Sequence, residues 1–197
     1  LLDRFMGPAM DELVFESIDG TSSQLATYRS DSATVSVVLL ADDAQADSLE
    51  VIGRVMSELT DVAAMHVLSH AQSGELVLGN TALNANNLSR YESVLRGWGE
   101  SLTDNGDILF YGCNLSSGEA GFDFIERLAG ITQADIAASE NLTGNGRIGG
   151  DWILETEYGV VEVASAFSSN DPRYDGVLAA PPLQTSSKVT AAIGSVA

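Results

Sequence analysis

The chain of 197 residues is 45% apolar and 19% charged, the proportions of one ordinary globular domain long enough to bury a sizeable core. Nine Lys and Arg against twenty-eight Asp and Glu leave a net charge of −19, which argues against binding nucleic acid or anionic lipid, since both need a basic surface. The single cysteine excludes an internal disulfide, and no apolar stretch approaches the roughly 20 residues of a membrane span.

Gly7-Pro8-Ala9-Met10 has the look of a cloning remnant, so residues 1–10 are set apart from the fold. Glu12–Ile18 reads as a first strand and Ala33–Ala41 as a stronger second one. Between Ala46 and Leu59, the apolar residues Leu49, Ile52, Val55, Met56 and Leu59 recur at three- and four-residue spacing, which predicts a helix with one face on a sheet. Ala64–Ser69 is a buried strand ending at His70, and the Gly-rich stretch Glu75–Gly79 reads as a small hairpin. A second helix is predicted over Asn86–Leu102, and Asp104-Asn105-Gly106-Asp107 is the turn into a strand that stops at Cys113.

Ser116-Ser117-Gly118-Glu119 has the spacing of a capping box, with Ser116 at the N-cap of a third helix that runs through Phe122, Ile125 and Leu128 to Gly130. Ala134–Ala138 is a further buried strand, and Trp152–Leu154 with Val160–Val163 reads as a terminal hairpin pair. Beyond Ser165 the chain turns to Ser, Asn, Pro and Ala, so the domain is expected to span 11–165, with 166–197 a tail or linker. Strands alternating with helices predict an α/β fold, a three-layer α/β/α sandwich around a mostly parallel sheet.

In such sheets reactive groups gather outside the carboxyl ends of the strands. His70 and Cys113 each occupy such an end, and Cys113 is the only cysteine and His70 one of only two histidines. A thiol becomes a strong nucleophile when ionised, which a neighbouring histidine favours, so the pair reads as base and nucleophile. His66 and His70 have the spacing of two metal ligands on a helix, but on a strand four residues span about 13 Å, too far to chelate one ion. His66 is therefore expected to be a buried contact and no metal site is predicted there. The acidic residues lack the spacing of an EF-hand loop, which leaves calcium open without assigning it; no other cofactor is indicated.

The strand-end His70, the strand-end Gly112-Cys113 and their separation of 43 positions resemble the caspase-like clan of cysteine peptidases, which includes caspases, gingipains, legumain, clostripain and the self-cutting domain of large bacterial toxins. More narrowly, His66–His70, Gly74–Gly79, Asp107–Asn114, Gly118–Leu128 and Gly149–Trp152 are similar, in order, to an uncharacterised domain near the N-termini of giant repeat-containing bacterial adhesins. That resemblance covers roughly residues 11–178.

The resemblance implies a caspase-hemoglobinase-like fold and an endopeptidase in which Cys113 attacks a peptide carbonyl and His70 protonates the leaving amine. It also implies an oxyanion hole built from the backbone N–H groups of Cys113 and of the residue after the histidine. That residue is glycine in the clan and Ala71 here; alanine keeps the donor but resists a positive φ, so a hole needing that backbone shape would be strained. Substrate-binding candidates are Ser139, Glu140 and Asp151 in the loops beyond the strands, the two acids suiting a basic residue before the cut bond. Cleavage after leucine is the other option, with Leu178-Ala179 as a self-processing site. The implied partner is a peptide, in the first place a segment of the parent chain, and the implied location is secreted or on the bacterial surface. The alternative is a catalytically silent folding or anchoring module of an adhesin that keeps the peptidase scaffold.

Overall fold

The computed structural model of the protein describes residues 12–17, 35–39, 47–79, 81–167 and 175–179. The expected remnant at 1–10, the outer ends of the first two predicted strands, and the tail at 168–174 and 180–197 lie outside the described residues.

The described chain is an α/β fold. Strands β1 (Glu12–Ser17), β2 (Val35–Leu39), β3 (Val62–Gln72), β6 (Leu102–Tyr111), β7 (Asp135–Ala138) and β8 (Thr156–Tyr158) lie in the order β2-β1-β3-β6-β7-β8. Every neighbouring pair is parallel except β7 with β8. A hairpin of β4 (Glu75–Leu78) and β5 (Thr81–Asn84) folds antiparallel onto the end of β3. Helices α1 (Ser48–Met56), α2 (Glu92–Glu100) and α3 (Gly118–Thr132) connect the strands.

The nearly continuous burial of β3 and of the second half of β6 explains their unalternating apolar sequence, since both faces of the central strands are covered. On one face Met65, Val67, Ile108 and Phe110 meet Leu49 and Ile52 of α1, Leu95 and Trp98 of α2, and Phe124 and Leu128 of α3. The opposite face carries a second apolar core, in which Ala64, Leu68, Leu109, Tyr111 and Cys113 pack against Trp152, Phe167 and Leu178. Among the described residues this third layer is built by irregular chain after β7. His66 lies within it, fully buried, with Nδ1 3.1 Å from the Tyr111 hydroxyl and Nε2 3.4 Å from Glu12 Oε2. The Tyr111 contact joins β3 to β6, and the Glu12 carboxylate places β1 beside the other ring nitrogen, so His66 lies at the junction of three adjacent strands.

Several local expectations are corrected. β3 does not stop at His70 but runs to Gln72, because its last residues are paired by β4. The predicted hairpin at 75–79 is only its first arm. The predicted turn at 104–107 lies inside β6, where its turn-forming residues are absorbed by an irregularity in the pairing with β3 between Val62 and Ala64. The capping box does not form. Ser117 is the N-cap of α3 and makes no side-chain cap, while the Ser116 hydroxyl donates to the Ala138 carbonyl of β7. Phe122 is 53% exposed, and Phe124 takes the core position instead.

Near the end of the described chain, β8 at Thr156–Tyr158 replaces the expected hairpin of Trp152–Leu154 and Val160–Val163; these flanking segments pack as irregular chain in the second core. The packed region also continues past residue 165, because Phe167 and Leu178 are buried.

Candidate active site

The carboxyl ends of β3 and β6 meet side by side. Their parallel register pairs Val67 with Phe110 and Leu68 with Tyr111; His70 follows on β3, paired there with Val77 of β4, and Cys113 lies in the turn two residues past the end of β6. Cys113 packs in the second core with Leu68 and Tyr111. Gly112 lets the strand ends approach. A Cβ there would stand 2.6 Å from the Ala71 side chain and 3.0 Å from the Ser69 carbonyl oxygen. Gly112→Ala is therefore expected to push the two ends apart and to cost about 1–3 kcal/mol of overpacking strain, read as a lower denaturation midpoint.

A segment from the end of the described chain lies across these strand ends. Residues 175–178 run antiparallel to 143–145. The Leu178 N–H donates to the Thr143 carbonyl at 2.9 Å, the Asn145 N–H donates to the Gly176 carbonyl at 2.8 Å, and Gly144 is bridged to Val177. Asn145 Nδ2 adds a bond to the Asp175 carbonyl at 3.2 Å. Main-chain pairing of this kind, with alternate side chains set into pockets, is how extended peptides are held at a sheet edge.

At the end of that pairing the Leu178 carbonyl oxygen accepts two hydrogen bonds. One comes from the Ala71 N–H at 3.0 Å and the other from the Cys113 N–H at 3.3 Å. Two backbone donors converging on one carbonyl oxygen have the form of an oxyanion hole. Ala71 does this from within a strand. Among the described residues other than glycine, positive φ occurs at Asp61, Asn114 and Gln133, so Ala71 carries none of the strain expected of it. The Leu178 side chain is fully buried, and its surroundings are the apolar residues of the second core. Tyr111 and Trp152 both pack against Phe167 there, with ring centroids 4.5 and 4.7 Å apart.

Cys113 is also fully buried. Its sulfur accepts from the Thr143 N–H at 3.2 Å and lies 3.5 Å from the Thr143 carbonyl oxygen. Burial pushes the thiol above its ordinary pKa, more than the backbone groups of Thr143, Leu178 and Cys113 itself pull it down.

The other candidate residues serve different partners. Ser139 is buried, its carbonyl accepts from the Ser116 N–H, and its hydroxyl bonds to the Asn141 backbone. Glu140 accepts from the Thr156 hydroxyl at 2.7 Å. Asp151 accepts from the Ile153 N–H at 2.9 Å and from Asn141 Nδ2 at 3.4 Å. These bonds tie the loop after β7 to the chain around β8, while the side chain set among the second-core residues is an aliphatic one. The strand-like run Thr143-Gly144-Asn145 was not singled out in the sequence. Its one local signal is a glycine-rich, Asn-rich stretch that reads as a plain turn. Gly150 belongs with it, since a Cβ there would meet Gly144 backbone at 2.9 Å and Val177 Cγ1 at 3.0 Å.

A family model described as "Domain of unknown function (DUF4347)" matches residues 16–178. No match was found among curated proteins. Among solved structures, caspase-1 from Spodoptera frugiperda is similar at 17% identity and a TM-score of 0.27, over 56% of this chain and 49% of that one. The chain thus spans about half the length of that structure. No described helix is long and apolar enough to cross a membrane.

Proposed function

The chain belongs to the family described as Domain of unknown function (DUF4347), and we propose that it is a caspase-like cysteine endopeptidase that cuts its own chain between Leu178 and Ala179. The observation that carries the reading is the Leu178 carbonyl oxygen held between the N–H groups of Ala71 and Cys113. In the proposed reaction the Cys113 sulfur attacks the Leu178 carbonyl carbon, and the oxygen takes up the charge facing those two donors. His70 accepts the thiol proton and passes it to the Ala179 nitrogen, which leaves as an amine. Water then attacks the thioester and releases the Leu178 carboxylate and the free thiol. Burial of an aliphatic side chain favours cleavage after leucine over cleavage after arginine or lysine. The proposed setting is a large bacterial surface adhesin, with the parent chain as substrate.

A thiol-reactive peptide probe ending in Val-Leu tests the reading. It is expected to label Cys113 in a protein shortened to residue 178 whose last residues have been displaced by excess probe, and to spare a His70→Ala variant. Absence of labelling on this shortened protein with His70 intact would count against a nucleophilic Cys113.

The raised thiol pKa gives the reaction a pH dependence. If the thiolate is the attacking form, the cleavage rate should climb with pH and reach its midpoint above the ordinary thiol value of about 8.5. The stability effect has the opposite sign. The fold favours the neutral buried thiol, so that contribution is complete below about pH 8.5 and is lost as pH rises through the folded-state value. A pH–rate profile set beside pH-dependent thermal unfolding checks both limbs.

The second reading is a silent folding or anchoring module, favoured by the complete burial of Cys113. In it the bonds from Ala71 and Cys113 to Leu178 serve only to fasten the chain end to the sheet. Unchanged parent-chain size and adhesion in a Cys113→Ala strain would support it.

A further inference from the structure

About six residues back along β6 from Cys113, roughly 20 Å at strand rise, a second cluster of functional groups lies where the middle of β6 begins to pair with the amino end of β7. Asp107 and Asp135 face each other in register across the two strands. Glu162, in the chain after β8, joins them, so that one carboxylate oxygen from each of the three lies within 4.8 Å of the others. Asp107 is fully buried. Its Oδ2 accepts from the backbone N–H of Glu162 at 3.0 Å and of Val163 at 2.9 Å, while its Oδ1 is buried with no hydrogen-bond partner. A buried carboxylate oxygen left without a donor is costly.

We propose that Asp107, Asp135 and Glu162 form a binding site for a hard divalent cation, calcium in the first place. Oxygen ligands at 2.3–2.6 Å from Ca²⁺ stand at most about 5 Å apart across the ion, which accommodates the 4.8 Å span of the three carboxylates. Calcium tolerates the irregular geometry of ligands drawn from two strands and a loop, where magnesium demands a near-ideal octahedron. The cation supplies the charge that the buried Oδ1 lacks. It also fastens the segment at 162–163 to the sheet. That segment continues to Ala166, whose N–H donates to the Tyr111 hydroxyl at 3.1 Å, and to Phe167 in the core that encloses Leu178. The site stands independently of the peptidase reading.

The test is thermal unfolding of the Cys113→Ala protein, in which no processing can intervene, in EDTA and then across a CaCl2 titration, with NaCl at matched ionic strength as the control for a chain of net charge −19. Saturating calcium is expected to raise the Tm by about 5 °C or more, with a stoichiometry near one by calorimetric titration. Glu162→Gln, on an exposed side chain, is expected to keep the fold and to abolish most of the shift, and Asp135→Asn likewise. A shift no larger than that of NaCl, or one that survives both substitutions, would overturn the assignment.

Discussion

Cys113→Ala is expected to abolish loss of residues 179–197 from the chain, slowing it at least ~10³-fold while leaving the unfolding transition in place. The expectation follows from the division of labour at the ends of β3 and β6. The two N–H donors to the Leu178 carbonyl belong to the backbone of Ala71 and Cys113 and survive the substitution, so substrate seating is kept and only the attacking sulfur is lost. A time course of the intact and shortened species on a gel, for wild type and variant at the same pH, reads the difference. If the two shorten at the same rate, the cut belongs to another protease.

Changing the residue before the cut bond should have the next largest effect, and it separates the two specificities that the sequence leaves open. Leu178 is fully buried among apolar side chains, and Glu140 and Asp151 are engaged with Thr156, Asn141 and Ile153. Leu178→Lys would place an ammonium among the apolar side chains of the second core, and burying an unpaired charge costs several kcal/mol. Cleavage of this variant is expected to fall at least ~10²-fold, measured by the same time course. Leu178→Met, which conserves volume, should stay within about tenfold of wild type. Faster cleavage of the lysine variant would restore the acidic pocket of Glu140 and Asp151.

The central strands were legible because burial on both faces leaves a largely apolar run without alternation, as in Met65–Leu68, interrupted by His66, and Ile108–Tyr111. Their ends were less legible: β3 runs past His70 to Gln72 and β6 stops at Tyr111, two residues before Cys113. Where the reading departed, a tertiary contact had overridden a local signal. Asp104-Asn105-Gly106 has the composition of a turn, yet the pairing with β3 draws it into β6 as an irregularity. Ser116 and Glu119 have capping-box spacing, but the Ser116 hydroxyl is taken by β7. Phe122 fits a three-residue periodicity that the helix does not use, because the buried stripe passes through Phe124.

The site was half visible. A strand-end thiol and imidazole leave a chemical signature in sequence, and so does a leucine standing before Ala179 and Ala180. The partner strand at 143–145 leaves none, since it contributes through N–H and carbonyl groups that every residue type carries. The role of Ala71 was obscured for the same reason. Its side chain suggested a strained hole, whereas its N–H is delivered by an extended strand.

The most direct measurement is the N-terminal sequence and intact mass of whatever fragment the chain releases on incubation at mildly alkaline pH. A single new N-terminus at Ala179 is expected, with partner masses for residues 1–178 and 179–197. An intact chain after prolonged incubation, or a new N-terminus anywhere else, would contradict it.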